Sequence, residues 1–288
     1  MKQVDRRAFM TSTIGTALAL AGPAGAWAQG PTRAGETRWH LLRNATSRIH
    51  YGGRTILLDP YLSDAGALPA FNNTPNPRRN PLVPLPMPAR DVVAGIDAVL
   101  LTHTHVDHWD VPARELLPKG TPIFTQPADQ ARVREAGFTD VRSIDDTLTW
   151  EGLSVTRTGG QHGRGEVGTR MGTVSGYVLR HAGSPTLYIA GATIWCPDVE
   201  EALRRHRPDI VVVNAGEAQF LEGGPIIMGV ADVVQVCRAA PAATVVAVHM
   251  EAVNHCVLSR AGLRAGLDAA AVRNRILIPG DGEQIALS

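Results

Sequence analysis

The run Thr102-His103-Thr104-His105-Val106-Asp107-His108 follows directly on the apolar segment Ala98-Val99-Leu100-Leu101. Three imidazoles and one carboxylate fall between positions 103 and 108. Such groups are costly to bury unpaired. They are also the nitrogen and oxygen donors that zinc and similar divalent ions take. A fold that accepts this run must end a buried strand just before it and leave the donors on a loop. The residues that follow, Trp109 to Leu117, read as a helix with Asp110 as its N-cap. The donors therefore lie on a strand-to-helix connection, where α/β folds place their sites.

The rest of the chain supports that class. Short β-type runs recur at Thr55–Leu58, Ala98–Leu101, Ser154–Arg157, Thr173–Leu179, Thr186–Ile189, Ile210–Val213, Thr244–Val248 and Arg275–Ile278. Helix-type stretches lie between them at Val111–Leu117, Ala128–Ala136, Asp198–His206, Ala231–Ala239 and Ser259–Ala270. This alternation predicts an α/β protein with sheets covered by helices. Pro69 to Pro88 stands apart, with seven prolines plus Asn72, Asn73, Asn76 and Asn80. Proline at that density excludes a helix or a central strand. A long stiff loop walling a substrate pocket is the expectation, since long loops in compact domains are commonly functional.

Residues 1–28 read as an export signal. Lys2, Arg6 and Arg7 precede a short apolar stretch from Ile14 to Ala21, and Ala26-Trp27-Ala28 supplies the small residues of a cleavage site. The pair Arg6-Arg7 followed by Phe9 resembles a twin-arginine signal. A periplasmic protein with no stable membrane anchor after cleavage is expected, its catalytic domain running from 36 to 288. The formal charge of +1 includes three basic residues and one acidic residue of the signal. The mature chain is thus nearly neutral and carries no basic stripe, which argues against a nucleic-acid partner. Cys196, Cys237 and Cys256 form neither a C-x-x-C pair nor an even framework. One bridge with a free thiol and three free thiols both stay open, as does the oligomeric state.

His103 and His105, two apart on an extended turn, can point toward one metal, while Asp107 and His108 turn toward a second position. Two metals about 3.5–4 Å apart are a known hydrolytic arrangement. A tetrahedral site needs further donors. His162, in the glycine-flanked Gly159-Gly160-Gln161-His162-Gly163, His249 at the end of an apolar strand, and His255 just behind it are the candidates. Ser175 lacks the spacing of an activated nucleophile and reads as a strand residue. Arg164 could pair with an anionic substrate group, and Trp109 and Trp195 could line an apolar wall.

Thr55–Leu62 (TILLDPYL), Thr102–Asp110 (THTHVDHWD), Gly159–Gly163 (GGQHG), Tyr188–Trp195 (YIAGATIW) and Val245–Met250 (VVAVHM) together resemble the metallo-β-lactamase superfamily, nearest its L-ascorbate-6-phosphate-lactonase-like branch. The resemblance implies an αββα sandwich with metals at one edge. It implies His103, His105 and His162 at a first metal, and Asp107, His108 and His249 at a second. Asp107 and Asp59 would serve the chemistry, Asp59 by orienting ligands. Two zinc ions are the expected cofactor, with one ion, iron or manganese as alternatives. A small-molecule substrate such as a lactone, cyclic amide or phosphoester would be attacked by metal-activated water.

This chain departs from the family pattern in two places. Arg43-Asn44-Ala45 stands where the branch has Gly-His-Ala. Gly191-Ala192-Thr193 stands where members carry Gly-Asp-Thr, whose aspartate bridges the metals. Ala192 has no donor atom; Cys196, Asp198, Glu217 and Glu251 are the donors in the chain that could compensate. The competing reading is therefore a metal-binding but catalytically weak member that binds a ligand or partner.

Overall fold

The computed structural model describes residues 36–272 and 275–287. The export signal expected over 1–28 lies outside them. Fourteen strands form two seven-stranded mixed sheets among the described residues. In the first sheet, β1 (Arg38–Arg43), β2 (Thr46–Tyr51) and β3 (Arg54–Leu58) form an antiparallel meander. Next come the parallel strands β4 (Ala98–Leu100), β5 (Ile123–Thr125) and β6 (Val141–Ser143), and β14 (Gln284–Ala286) closes the other edge against β1.

The second sheet begins with an antiparallel run of β7 (Thr147–Trp150), β8 (Leu153–Thr158), β9 (Gly176–Arg180) and β10 (Leu187–Ile189). It then turns parallel through β11 (Ile210–Asn214), β12 (Thr244–Val248) and β13 (Ile276–Leu277).

Alternation along the strands explains the layers. Trp39, Leu41, Ile56, Leu100 and Phe124 of the first sheet meet Val155, Tyr177, Leu179, Ile189, Val212 and Val246 of the second in one buried core. Their immediate neighbours point the other way. Leu57, Val99 and Leu101 pack under helices α1 (Ala89–Val92), α2 (Val111–Leu116) and α3 (Gln130–Glu135). Val211, Val213 and Val245 pack under α5 (Pro197–His206), α6 (Val230–Ala239) and α7 (Arg260–Ala269). Strands apolar on both faces belong inside a four-layer stack. The architecture is the expected αββα sandwich. A seventh helix, α4 (Gly165–Met171), follows the turn that carries His162. No described helix is long and apolar enough to cross a membrane.

The turn geometry matters at one point. The β1–β2 hairpin turns at Asn44, whose φ of 58° lies in the left-handed region that asparagine tolerates. That turn delivers Asn44 to the metal-donor edge of the sandwich.

Candidate metal centre

Leu101 is still paired to β5, its N–H donating to the carbonyl of Phe124. Beyond it the chain leaves the sheet. The N–H groups of His108 and Trp109 both bond the carbonyl of His105, closing a tight turn. Asp110 then starts α2, accepting from the N–H of Ala113 at 3.0 Å. Its other oxygen takes the N–H groups of Leu62 and Ser63 and the hydroxyl of Ser63. One buried carboxylate thus caps the helix and ties the donor loop to the segment after β3.

The loop brings together six donors in two groups. His103, His105 and His162 form one, and Asp107, His108 and His249 the other; within each, one ligand atom per residue lies within 4.8 Å of the rest. His162 arrives from the turn between β8 and α4, next to Gly163 at a φ of 102°. His249 ends β12 with a left-handed φ of 62°, its N–H held by the carbonyl of Asn44 at 2.9 Å. A non-glycine residue in that region is strained, and such strain gathers at working sites.

Outer partners fix which nitrogen four of the rings present. Asp59, buried with a φ of 42°, accepts the N–H of Thr102 at 2.8 Å, the hydroxyl of Thr102 at 2.7 Å and the Nδ1–H of His108 at 2.8 Å. Having given its proton to Asp59, the Thr102 hydroxyl accepts from His103 Nδ1 at 3.1 Å. His162 Nδ1 donates to the carbonyl of Ile226 at 2.8 Å. His249 Nδ1 faces the Cys256 sulfur at 3.5 Å. Each of these bonds leaves the far nitrogen of the ring as a lone pair aimed inward.

The arrangement fits a metal ion. His108 Nε2 lies 3.1 Å from His249 Nε2, and Asp107 Oδ2 lies 3.7 Å and 3.3 Å from the same two atoms. With both Nδ1 protons directed outward, three electron pairs converge there, met by one donor, the Asn44 amide 3.3 Å from His249 Nε2. Such a cluster is complementary to a cation. The donors also stand in the protonation states metals need. Burial drives His103 well below the ordinary imidazole value, helped by repulsion from His108, His105 and His162. It pushes His162 down to about 3. Burial alone would raise Asp107, but His108 and His249 outweigh it and hold the carboxyl well below its usual range.

A pH dependence follows for the metal-free protein. His162 is held down to about 3 and His255, also by burial, to about 4, against 6.5 for a free imidazole. The unfolded chain therefore binds more protons than the folded one below pH 6.5. Stability is complete above that value and falls as pH drops toward 4, by about 2 kcal/mol per ring between pH 6.5 and 5. Urea unfolding in the presence of a chelator measures this. Equal midpoints at pH 7 and pH 5 would refute it.

A cavity of about 220 Å³ opens over the donors. It is lined by His105, Asp107, His108, His162, His249 and His255 together with Phe71, Val106, Met171, Phe220 and Ile227. Phe71 belongs to the proline-rich loop, so that loop does wall the cavity. Asn254 clasps it there. The Asn254 carbonyl oxygen accepts the N–H of Phe71 and the amide of Asn80, and its amide nitrogen lies within hydrogen-bond distance of Phe71 O, Thr74 Oγ1 and Asn76 O.

Other candidates from the sequence lie elsewhere. Arg164 lines a separate cavity with Glu217 and Asp232. Trp109 is fully buried against Phe138 and Trp195 packs outside the second sheet, so neither lines the donor cavity. Ser175 donates to Gln126 at 2.8 Å. The cysteines are all free. Among the described residues, none of Cys196, Asp198, Glu217 or Glu251 joins either donor group; Glu251 is paired with Arg260 at 2.6 Å. Ala192 is buried in an apolar cluster with Val167, Val174, Ala218, Ile226 and Ile227. Sequence reasoning missed the work of Asn44, Cys256, Phe71 and Phe220. A turn asparagine standing where the family branch has histidine was the signal for the first, and the others carry none.

Residues 54–250 match the model of the beta-lactamase superfamily domain. The chain is 40% identical over 245 residues to UPF0173 protein YddR of Bacillus subtilis, covering 84% of this chain and 96% of that one. Among solved structures, it is similar to an isothiocyanate hydrolase from Delia radicum gut bacteria, with 41% identity, a TM-score of 0.81, and coverage of 86% of this chain and 98% of the other. A possible metal-dependent hydrolase from Veillonella parvula is 37% identical with a TM-score of 0.83, covering 87% and 99%.

Proposed function

Since the chain belongs to the beta-lactamase superfamily and is a metal-dependent hydrolase, we propose that its substrate is a small, neutral, apolar isothiocyanate, to whose central carbon it adds water. The observation that carries this reading is the cavity itself. Apart from Asp107 and the imidazoles its lining is apolar, and among the described residues it includes no lysine or arginine to hold a phosphate or carboxylate. The likeness to an isothiocyanate hydrolase over nearly the whole domain supports the same substrate class.

His103, His105 and His162 would hold one ion, and Asp107, His108 and His249 a second, with zinc the best match to a nitrogen-rich donor set. Bound there, a metal supplies a water acidified to near neutral pH and polarises the group under attack. The chain's own groups do the rest. Asp59 and Thr102 keep His108 and His103 from turning. Phe71, Met171 and Phe220 hold the organic group and exclude bulk water. Asp107, kept ionised by His108 and His249, offers its carboxylate as a metal ligand on the cavity wall. Water oxygen bonds to carbon as the C=N π pair moves to nitrogen, which takes the proton the water releases, giving R–NH–C(=S)–OH; the hydroxyl proton then passes to sulfur, giving the thiocarbamate R–NH–C(=O)–SH. Its C–N bond then breaks as the sulfur proton passes to nitrogen, releasing an amine and carbonyl sulfide.

The test is a substrate panel on the zinc-loaded protein: benzyl isothiocyanate, γ-butyrolactone and 4-nitrophenyl phosphate. Benzyl isothiocyanate should turn over with kcat/KM of about 10⁴ M⁻¹s⁻¹ or more, well above the other two. Preferred turnover of the phosphoester or lactone would overturn the substrate assignment. Inactivity on all three would favour a ligand-binding role, the second reading, to which Ala192 in its apolar cluster points.

A further inference from the structure

One imidazole at the cavity belongs to neither donor group. His255 is 6% exposed, and its Nδ1 is shielded from solvent with no hydrogen-bond partner among the described residues. Yet its ring lines the cavity. Buried polar groups are normally satisfied, and an orphan is destabilising in the free protein. The ring is also held firmly. Phe71 meets it edge-on at 4.7 Å, Phe220 stacks on it at 6.3 Å, and its carbonyl takes the N–H of Gln219 at 2.9 Å. The ring centre stands 6.4 Å from that of His249, so a group bound at His255 lies beside the donor set.

We propose that His255 is the substrate-binding residue of this cavity: a ring nitrogen hydrogen-bonds the heteroatom of a small neutral substrate whose apolar part lies against Phe71 and Phe220. A neutral imidazole offers one N–H and one lone pair, so it suits a polar but uncharged group. The two phenylalanines fix the ring plane and select a flat or slender apolar substituent. This assignment rests on the cavity being the substrate site, as argued above. It does not depend on the substrate being an isothiocyanate.

Two probes separate those claims. Benzamide and toluene share a ring, and only benzamide carries a hydrogen-bonding head. Their binding to the zinc-loaded protein is measured by ligand-observed NMR, in wild type, His255→Phe, His255→Asn and His255→Gln. His255→Phe preserves ring packing and removes both nitrogens. It should weaken benzamide by about 3- to 10-fold, the worth of a neutral hydrogen bond, and leave toluene unchanged. Asn or Gln should restore part of the loss. With benzyl isothiocyanate, KM should rise by a similar factor while kcat changes less, and metal content should match wild type. If benzamide fails to bind wild type, or if both probes change together, the assignment is wrong. Wild type inert to isothiocyanates would sink the substrate reading alone, because the benzamide–toluene comparison would still decide the role of His255.

Discussion

His103→Ala should lose one metal equivalent per chain and lower hydrolysis by about 10²- to 10³-fold or more. His103 is buried, its Nδ1 is anchored by Thr102 and its Nε2 lies 3.0 Å from His105 Nδ1, so no neighbouring donor can take its place. The expected selectivity is more telling than the size. The two donor groups have no residue in common, and Ala192 stands where the family resemblance would put a shared carboxylate. Asp107, His108 and His249 therefore remain complete in His103→Ala, and Asp107→Ala should spare the other group in turn. Elemental mass spectrometry of the two variants reads this directly. Loss of both equivalents in each variant would mean that the groups act as one centre despite Ala192. Full retention of metal in both would remove the donor assignment altogether.

Ala192→Asp should convert this pair of separate sites into a bridged one, with a stability signature of opposite sign in apo and loaded protein. In the chelated protein the new carboxylate lies among Val167, Val174, Ile226 and Ile227, and burying it there should cost about 3 kcal/mol or more. Gly191 beside it packs closely on Thr102, where an added Cβ would come within 3.3 Å of the threonine Cβ, so the backbone has little freedom to carry the side chain elsewhere. Zinc should reverse the deficit, because an ion that binds only the folded state stabilises by its own affinity. Hydrolysis should rise at least about tenfold, no less than the effect of changing one residue that orients a metal ligand. A variant equally destabilised with and without zinc would show that residue 192 does not face the metal positions. Metal-dependent recovery of stability without any gain across the substrate panel would favour the ligand-binding role.

Much of this site is legible in the sequence because its donors are dense and follow a strand that can be nothing but buried. Ala98–Leu101 is apolar at every position, so its end marks a sheet edge, and His103 to His108 must hang from it. The same logic locates His249 at the end of β12. Other elements carry no such sign. β1 reads RWHLLR and β2 reads TSRIHY, patterns with too many polar residues to announce a buried meander. Arg43 escapes because its guanidinium is buried against the carbonyls of Tyr61, Ser63 and Val83, a compensation that only tertiary structure supplies. α4 is hidden by Gly165 and Gly168, yet Gly168 is there for a packing reason: a Cβ would lie 2.5 Å from the Gly163 carbonyl oxygen. Phe71 and Phe220 meet His255 from loops far apart along the chain, and nothing local in either loop records that meeting.

The Asn254 clasp has a consequence for how ligands are chosen. A segment as long as Pro69–Pro88 would ordinarily be left to order itself around a guest, and that guest would lose affinity in proportion to the entropy it removed. Here one side chain bonds Phe71, Thr74, Asn76 and Asn80, so the segment has surrendered its freedom during folding. A visiting molecule meets a finished doorway. It is sorted by outline on arrival and not by how well it orders the segment.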